Sequence, residues 1–225
     1  MEHEFWHNAW EQGKTGWRQR RQNTRMQRHW PGLELPAGST VLVPLCGDTP
    51  DMLWLRDAGF KVVGCDLSAV ALRRFLHEHQ LEHTESVSSD GSITEFQADN
   101  LRLICGDFLA LTPVQIGPVA AVYDRAATVA MPAELRQTYA EKIIELTRHA
   151  EHVDSVQGLL ISFSYDQQKM NGPPFSVPTD EIHRLYGASF VINCVGSESG
   201  ESILGNLRER GLDELEESVY HLIRR

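Results

Sequence analysis

The chain has 225 residues, 41% hydrophobic and 23% charged, with 17 Gly and 10 Pro, proportions that exclude collagen-like, disordered and disulfide-scaffold proteins. Its 31 acids against 21 bases give a formal charge of -10, the wrong sign for a protein that grips nucleic acid through its phosphates. The first residues carry acids and His rather than a basic start and an apolar stretch, and the runs VLVPLC, GLLISF and AAVY are far shorter than the roughly 18 residues of a membrane span. A single cytoplasmic domain with neither membrane nor nucleic-acid partner is expected.

Residues 1–35 hold Trp6, Trp10, Trp17 and Trp30 in helical patterning, interrupted by Gly13-Lys14-Thr15-Gly16. Arg18, Arg20, Arg21, Arg25 and Arg28 follow, read as the solvated face of a helix in preference to a polyanion site. An alternation of strand and helix then begins. Residues 40–45 form a buried strand broken at Cys46-Gly47-Asp48; residues 49–58 form a helix with Pro50 in its first turn and Gly59 at its end. Residues 61–65 make a second strand ending at Asp66, and Ser68 caps a helix to about Gln80. The polar, Ser-rich residues 82–99 read as an excursion with an irregular hairpin. Strands follow at 101–105, at 119–123 (ending in Asp124-Arg125) and at 158–164, with a helix from Pro132 to about His149 between the last two. After the turn-rich GPPFSVP at 172–178, Thr179 caps a helix through Tyr186, and residues 189–195 and 217–223 close the sheet as an antiparallel pair. Cys46, Cys65, Cys105 and Cys194 lie singly near apolar runs and read as buried reduced thiols. His77, His79 and His83 read as surface residues rather than as metal ligands.

Strands separated by helices of this length build a doubly wound α/β fold, which binds ligands beyond the carboxyl ends of its strands. The first strand is followed by Gly47 alone, where a hydride-transferring dinucleotide fold needs GxGxxG to approach a pyrophosphate. Asp66, 19 residues beyond Gly47, can accept both hydroxyls of an adenosine ribose, although a strand-end Asp is also a common neighbour of a helix cap. Asp107 follows the third strand, placed to accept from an adenine amine, and Phe108 beside it can be plain core. Asp124-Arg125 reads equally as a structural ion pair and as a substrate-facing cation.

Together these strand ends resemble the thiopurine S-methyltransferase family of S-adenosylmethionine-dependent methyltransferases. The matching segments are Trp6 and Trp10 with Gly13-Lys14-Thr15, VLVPLCG at 41–47, VVGCDLS at 62–68, YDRAATVA at 123–130, SYD at 164–166 and GPPFSVP at 172–178. The resemblance implies a seven-stranded sheet of order 3-2-1-4-5-7-6 with the seventh strand antiparallel. It also implies a cofactor site that includes Trp10, Leu45, Asp66 and Arg125, which Gly47 and Asp107 join from the reading above. Asp66 stands where the family usually has Glu. Asn206 stands where mammalian members carry a substrate-contacting Arg, with Arg208 and Arg210 nearby.

The implied reaction moves a methyl group from S-adenosylmethionine to the sulfur of a thiopurine or other heterocyclic or aromatic thiol, leaving S-adenosylhomocysteine. Bacterial relatives extend the acceptors to selenium and tellurium compounds. The donor is already activated and a thiolate is a strong nucleophile, so alignment can supply most of the acceleration and no catalytic triad or metal is expected. Arg125 and Asp166 are the catalytic candidates: Arg125 steadies the anionic acceptor, and Asp166 or a water takes its proton. GPPF reads as a cover over a flat ring or as a rigid turn with a core Phe. Residues 1–35 read as a helical lid on a monomer. The alternatives are a methyltransferase for small thiols or halides and a non-catalytic nucleoside-binding module.

Overall fold

The computed structural model describes residues 3–148 and 155–225. In chain order it contains α1 (His3–Glu11), α2 (Thr24–His29), β1 (Thr40–Pro44), α3 (Asp51–Asp57), β2 (Lys61–Asp66), α4 (Ala69–Glu78), β3 (Thr84–Val87), β4 (Thr94–Ala98) and β5 (Leu101–Cys105). There follow α5 (Pro113–Ile116), β6 (Ala121–Arg125), α6 (Ala133–Leu146), β7 (Gln157–Ser164), α7 (Thr179–Tyr186), β8 (Phe190–Ser199) and β9 (Glu216–Arg224).

All the strands join one sheet of order β3-β4-β5-β2-β1-β6-β7-β9-β8. The five central strands run parallel, and β9 is antiparallel to both β7 and β8. From β5 to β8 this is the expected 3-2-1-4-5-7-6 order. The strand count among the described residues is a correction: nine, not seven, because the Ser-rich excursion adds β3 and β4 to the sheet through antiparallel pairing of β4 with β5. The hairpin expected in this excursion is present as β3 paired with β4; Phe96 is buried under α4, whereas every residue of β3 is exposed, so little in the sequence marks the hairpin as part of the sheet.

Alternation along the central strands sends side chains to two cores. Val41, Val43, Val62, Leu103, Tyr123 and Ile161 pack with Met26, Met52, Leu55, Leu72 and Phe75 of α2, α3 and α4. Leu42, Val63, Ile104, Val122 and Leu160 pack with Tyr139, Ile143, Ile182 and Leu185 of α6 and α7. Burial on both faces is why these strands read as unbroken apolar runs.

Some helix ends match the sequence reading and others depart from it; α3 starts at Asp51 with Pro50 at the cap position instead of in its first turn. Ser68 caps α4 by accepting the Ala71 N–H at 3.3 Å, and Gly59 after α3 takes φ +92. At α7 the cap position is Pro178; the Thr179 hydroxyl instead shares a 2.7 Å hydrogen bond with Tyr220. The helix expected to reach His149 ends at Leu146, and His149 itself lies outside the described residues. The expected arginine-bearing helix is also shorter: only Arg25 and Arg28 lie on α2, and Arg18, Arg20 and Arg21 precede it. Cys46 and Cys65 are buried, but Cys105 is half-buried and Cys194 is exposed on the edge strand β8; all four are free.

Gly64 in β2 packs directly under α3. A Cβ there would lie 2.8 Å from Met52 Sδ, 2.9 Å from Leu103 Cδ2 and 3.0 Å from Cys46 Sγ, all in buried side chains. Gly64→Ala is therefore expected to lower the unfolding free energy by about 1–3 kcal/mol through overpacking. Urea denaturation followed by circular dichroism checks this; an unchanged midpoint would show that the layer repacks freely.

Candidate functional site

A cavity of about 950 Å³ opens at the carboxyl ends of β1, β2, β5 and β6, where a doubly wound sheet leaves room between its two helical layers. Leu45 (φ +48) and Gly47 (φ +53) turn the chain sharply out of β1. Left-handed backbone is costly for leucine, of order 1–3 kcal/mol, and such strain gathers at ligand sites. Glycine is required two residues later for a second reason: a Cβ on Gly47 would lie 2.9 Å from Cζ2 of the Trp10 indole. Asp66, 8% exposed, closes the turn from β2: its Oδ2 accepts the Gly47 N–H and its Oδ1 the Ser68 N–H, both at 2.8 Å. Burial pushes its carboxyl up to about 6, against the pull of those two N–H groups. A carboxylate has about four lone-pair sites, so each oxygen can accept one more hydrogen bond.

The facing wall comes from β6. Strand alternation sends Asp124 and Arg125 to opposite faces, which excludes an ion pair between them. Asp124 turns toward α6 and accepts from the Thr128 N–H (3.0 Å), the Thr128 hydroxyl (2.6 Å) and the Tyr139 hydroxyl (2.8 Å). Arg125 lines the cavity with its side chain 14% exposed, and its ion pair among the described residues is a loose 3.7 Å contact with Asp51 Oδ2. Asp51 is fully buried and accepts the Tyr123 hydroxyl at 2.8 Å and the Asn23 N–H at 2.7 Å. From β9, Glu217 reaches the same cavity beside Arg25, whose Nη2 lies 3.2 Å from Glu217 Oε2. Burial raises the Glu217 carboxyl above its ordinary range, with Arg25 and Arg125 pulling the other way.

The N-terminal segment and residues 203–215 cover the cavity. Trp17 packs edge-on against Trp6 (5.0 Å between ring centroids) and Trp10 (6.0 Å), and Arg74 lies 5.7 Å from the Trp10 ring centre. Arg18 bonds to Asp48 and to Glu78, while Asn206 Nδ2 donates to the Gly16 carbonyl at 2.7 Å. Arg210 Nη1 donates to the Pro173 carbonyl at 2.7 Å and so fixes the GPP turn against the cavity; Arg208 pairs with Glu201 at the surface. Phe175 does not cover the cavity: its ring packs on Gly172 and beside Arg136, while Gly172, Pro173 and Pro174 supply the lining.

Trp10, Leu45, Gly47, Asp66, Asp107 and Arg125 thus line one cavity, with Asp107 also accepting the Leu109 N–H at 3.0 Å. Asp166 lies outside that lining, on the exposed turn after β7, where its Oδ1 accepts the Gln168 N–H at 3.0 Å. Arg18, Asp51 and Glu217 were not legible as site residues. Arg18 resembled one charge of a solvated face, and its partners lie 30 and 60 residues away. Asp51 resembled an acid in a first helical turn. Glu217 sat within an acidic stretch of a closing strand.

The family model for thiopurine S-methyltransferase matches residues 1–225. A thiopurine S-methyltransferase from Pseudomonas fluorescens is 38% identical over 222 residues, 99% of each chain, and one from Azotobacter vinelandii is 38% identical over 227 residues, 100% of each. Among solved structures, a Burkholderia thailandensis 1,6-didemethyltoxoflavin-N1-methyltransferase with S-adenosylhomocysteine aligns with a TM-score of 0.64 at 14% identity, over 99% of this chain and 86% of that one. A Synechocystis magnesium protoporphyrin IX methyltransferase with bound S-adenosylmethionine aligns at 0.59 and 16% identity, over 90% and 77%. At such identities these two show a shared fold.

Asp51 is the hub of the Arg125 wall. Asp51→Ala removes the acceptor of Tyr123 and Asn23 and leaves Arg125 without its counter-ion, and is expected to cost about 3–5 kcal/mol. Asp51→Asn, which keeps one acceptor oxygen, should cost less. Denaturant titration of both variants checks the order; equal, small losses would show that the hub does not hold this wall.

Proposed function

The chain belongs to the thiopurine S-methyltransferase family, and from that premise we propose how its cavity carries out S-adenosylmethionine-dependent methyl transfer to sulfur. The observation that carries the reading is that Asp66 and Arg125 open onto one cavity from the ends of the two strands that flank β1. Its volume lies near the upper end of the roughly 300–1,000 Å³ of small-molecule sites, enough for a nucleoside and a flat ring together. The residues present fit such a donor. Asp66 offers two acceptor oxygens to the ribose, Asp107 an acceptor beside the apolar Leu67, Phe108 and Leu109, and Trp10 an aromatic face for a sulfonium. When bound, S-adenosylmethionine supplies an activated methyl group.

The remaining work is positioning. Arg125, held only loosely by Asp51, has donors left for an anionic sulfur and keeps the acceptor in its nucleophilic form. Pro173, Pro174, Met131 and Leu135 offer apolar surface for a heterocyclic ring. This favours thiopurines and related aromatic thiols over small thiols or halides, which would leave much of the volume empty. Selenium and tellurium compounds belong in the same assay as softer acceptors. Asp166, facing solvent, is not part of this mechanism.

We read residues 1–35 as the lid of the same single domain: Trp10 on Gly47, Arg18 on Asp48 and Glu78, and Asn206 on Gly16 all hold it over the cavity. Described residues of one chain furnish the whole wall, which supports action as a monomer. No helix among the described residues is long and apolar enough to cross a membrane. That observation and the four free cysteines support a cytoplasmic location.

Incubation with S-adenosylmethionine and a panel of thiols tests the whole reading; absence of turnover on every acceptor would overturn it. Arg125→Lys keeps the charge but loses the planar fork, and is expected to lower kcat about tenfold or more while changing cofactor affinity little. A destabilised but fully active Lys variant would make Arg125 purely structural. Asp66→Ala should weaken S-adenosylhomocysteine binding by about 1.5–3 kcal/mol in calorimetry. Because the Asp66 carboxyl titrates near 6, wild-type affinity should fall as pH drops from about 7.5 to about 5, when the acid takes up a proton and loses an acceptor site. A pH-independent affinity would remove Asp66 from the ribose. Limited proteolysis should show cleavage of residues 13–28 suppressed by S-adenosylhomocysteine, and equal cleavage with and without it would count against a lid.

A further inference from the structure

The buried carboxylates around the cavity are satisfied to very different degrees. Asp51 and Asp66 each take two hydrogen bonds and Asp124 takes three, whereas Asp48, on the Asp66 side, is bound by Arg18. Glu217 is 9% exposed and lines the cavity, yet among the described residues its Oε1 takes no hydrogen bond and its Oε2 has only Arg25 at 3.2 Å. Arg25 is itself shared, since its Nη2 donates to Glu198 Oε2 at 2.7 Å. The Glu217 Oε1 is open to the cavity with its lone pairs free, so a donor that arrives with a ligand can bond there without displacing a protein group.

The sheet register places this oxygen. Arg125 of β6 pairs with Ile161 of β7, and Ile161 pairs with Val219 of β9. Glu217 lies two residues from Val219 on the same face, opposite Phe163 and toward the carboxyl end of β7. The cavity therefore offers a guanidinium and an under-used carboxylate from strands on either side of β7. A heterocyclic thione carries a complementary pair: a sulfur that gains negative charge and an adjacent ring N–H.

Resting on the methyl-transfer reading of this cavity, we propose that Glu217 is the proton acceptor for acceptors of the heterocyclic thione class, binding the ring N–H while Arg125 faces the sulfur. As the new S–CH3 bond forms, the donor's S–CH3 bond breaks and its electron pair stays on the departing thioether sulfur. Within the acceptor C=S becomes C–S, the N–H bonding pair becomes the ring C=N, and the proton moves to a Glu217 oxygen. The methylated heterocycle leaves neutral, and the proton passes to water on release. This removes the cation that a neutral thione would otherwise become, and it supplies the base that Asp166 is not placed to be. Burial keeps the carboxyl more basic than an exposed one; the charges acting on it are Arg25 of α2, Arg125 of β6 and Glu198 of β8.

The test compares 6-mercaptopurine, which has a ring N–H beside its sulfur, with thiophenol, which has none. Glu217→Gln is expected to lower kcat/KM for 6-mercaptopurine about 100-fold more than for thiophenol, the scale of general-base catalysis. It should also abolish the acid-side fall in the wild-type pH profile for the thione, with Glu217→Asp restoring part of both. Arg25→Gln, which leaves the carboxylate in place, should not reproduce the selective loss. Equal losses on the two acceptors, or an unchanged profile, would reduce Glu217 to an anchor for Arg25 and overturn the proposal. If Glu217→Gln fails to fold, the Glu217→Asp profile decides: an acid limb unmoved from wild type overturns it. Wild-type protein inactive on both acceptors would instead sink the reading of the cavity itself.

Discussion

Two backbone N–H groups and one carboxylate hold the cavity together. Asp66 takes the Gly47 N–H with one oxygen and the Ser68 N–H with the other, so the turn out of β1 and the start of α4 are fixed by a single side chain. Without that acceptor, the buried N–H at Gly47 would have to find another partner, and the left-handed turn that seats Trp10 would lose its support. The same carboxylate that builds the floor lines the cavity and is the one we propose for the ribose. Its elevated proton affinity follows from burial in a place almost without water, against the pull of those two N–H groups.

The facing wall obeys a different constraint, the two-residue period of a strand. Tyr123, Asp124 and Arg125 are consecutive, and the sheet deals them alternately to its two sides. Tyr123 and Arg125 converge on Asp51, while Asp124 is spent on Thr128 and Tyr139 in the opposite layer. Asp124 thereby fixes the chain that follows Arg125, in which Ala126 (φ +61) turns out of the strand and Val129, Ala130 and Met131 line the cavity. The acid beside the arginine acts as a brace for its loop, and the arginine stays lightly paired at the cavity wall.

Neither wall closes the site. Closure comes from segments that lack long regular structure: the tryptophan-rich start, the GPP turn and residues 203–215, tied to one another by Asn206 and Arg210 and to the body by Arg18. A cover pinned at a few polar points over an aromatic cluster can open by breaking a small number of bonds, as a binding site roofed by its own chain requires. Arg210, which holds the GPP turn, also places a guanidinium at this end of the cavity.

The layered α/β fold and the cavity positions of Gly47, Asp66 and Asp107 were legible in the sequence itself, while the order of the seven inner and closing strands and the cavity positions of Trp10, Leu45 and Arg125 came from the family resemblance. Apolar runs, glycine breaks and strand-end polar residues are local signals, and strand ends in this fold share one rim. The tertiary structure alone decided that Asp124 and Arg125 do not pair, that Asp166 and Phe175 face away from the cavity, that Arg18 is a clamp and that Glu217 is an under-partnered carboxylate on the wall. Each of these depends on a partner far along the chain or on which side of a strand a residue falls once register is set. That the hairpin of β3 and β4 joins the sheet belongs to the same group, because an edge strand that buries nothing leaves no alternation to read.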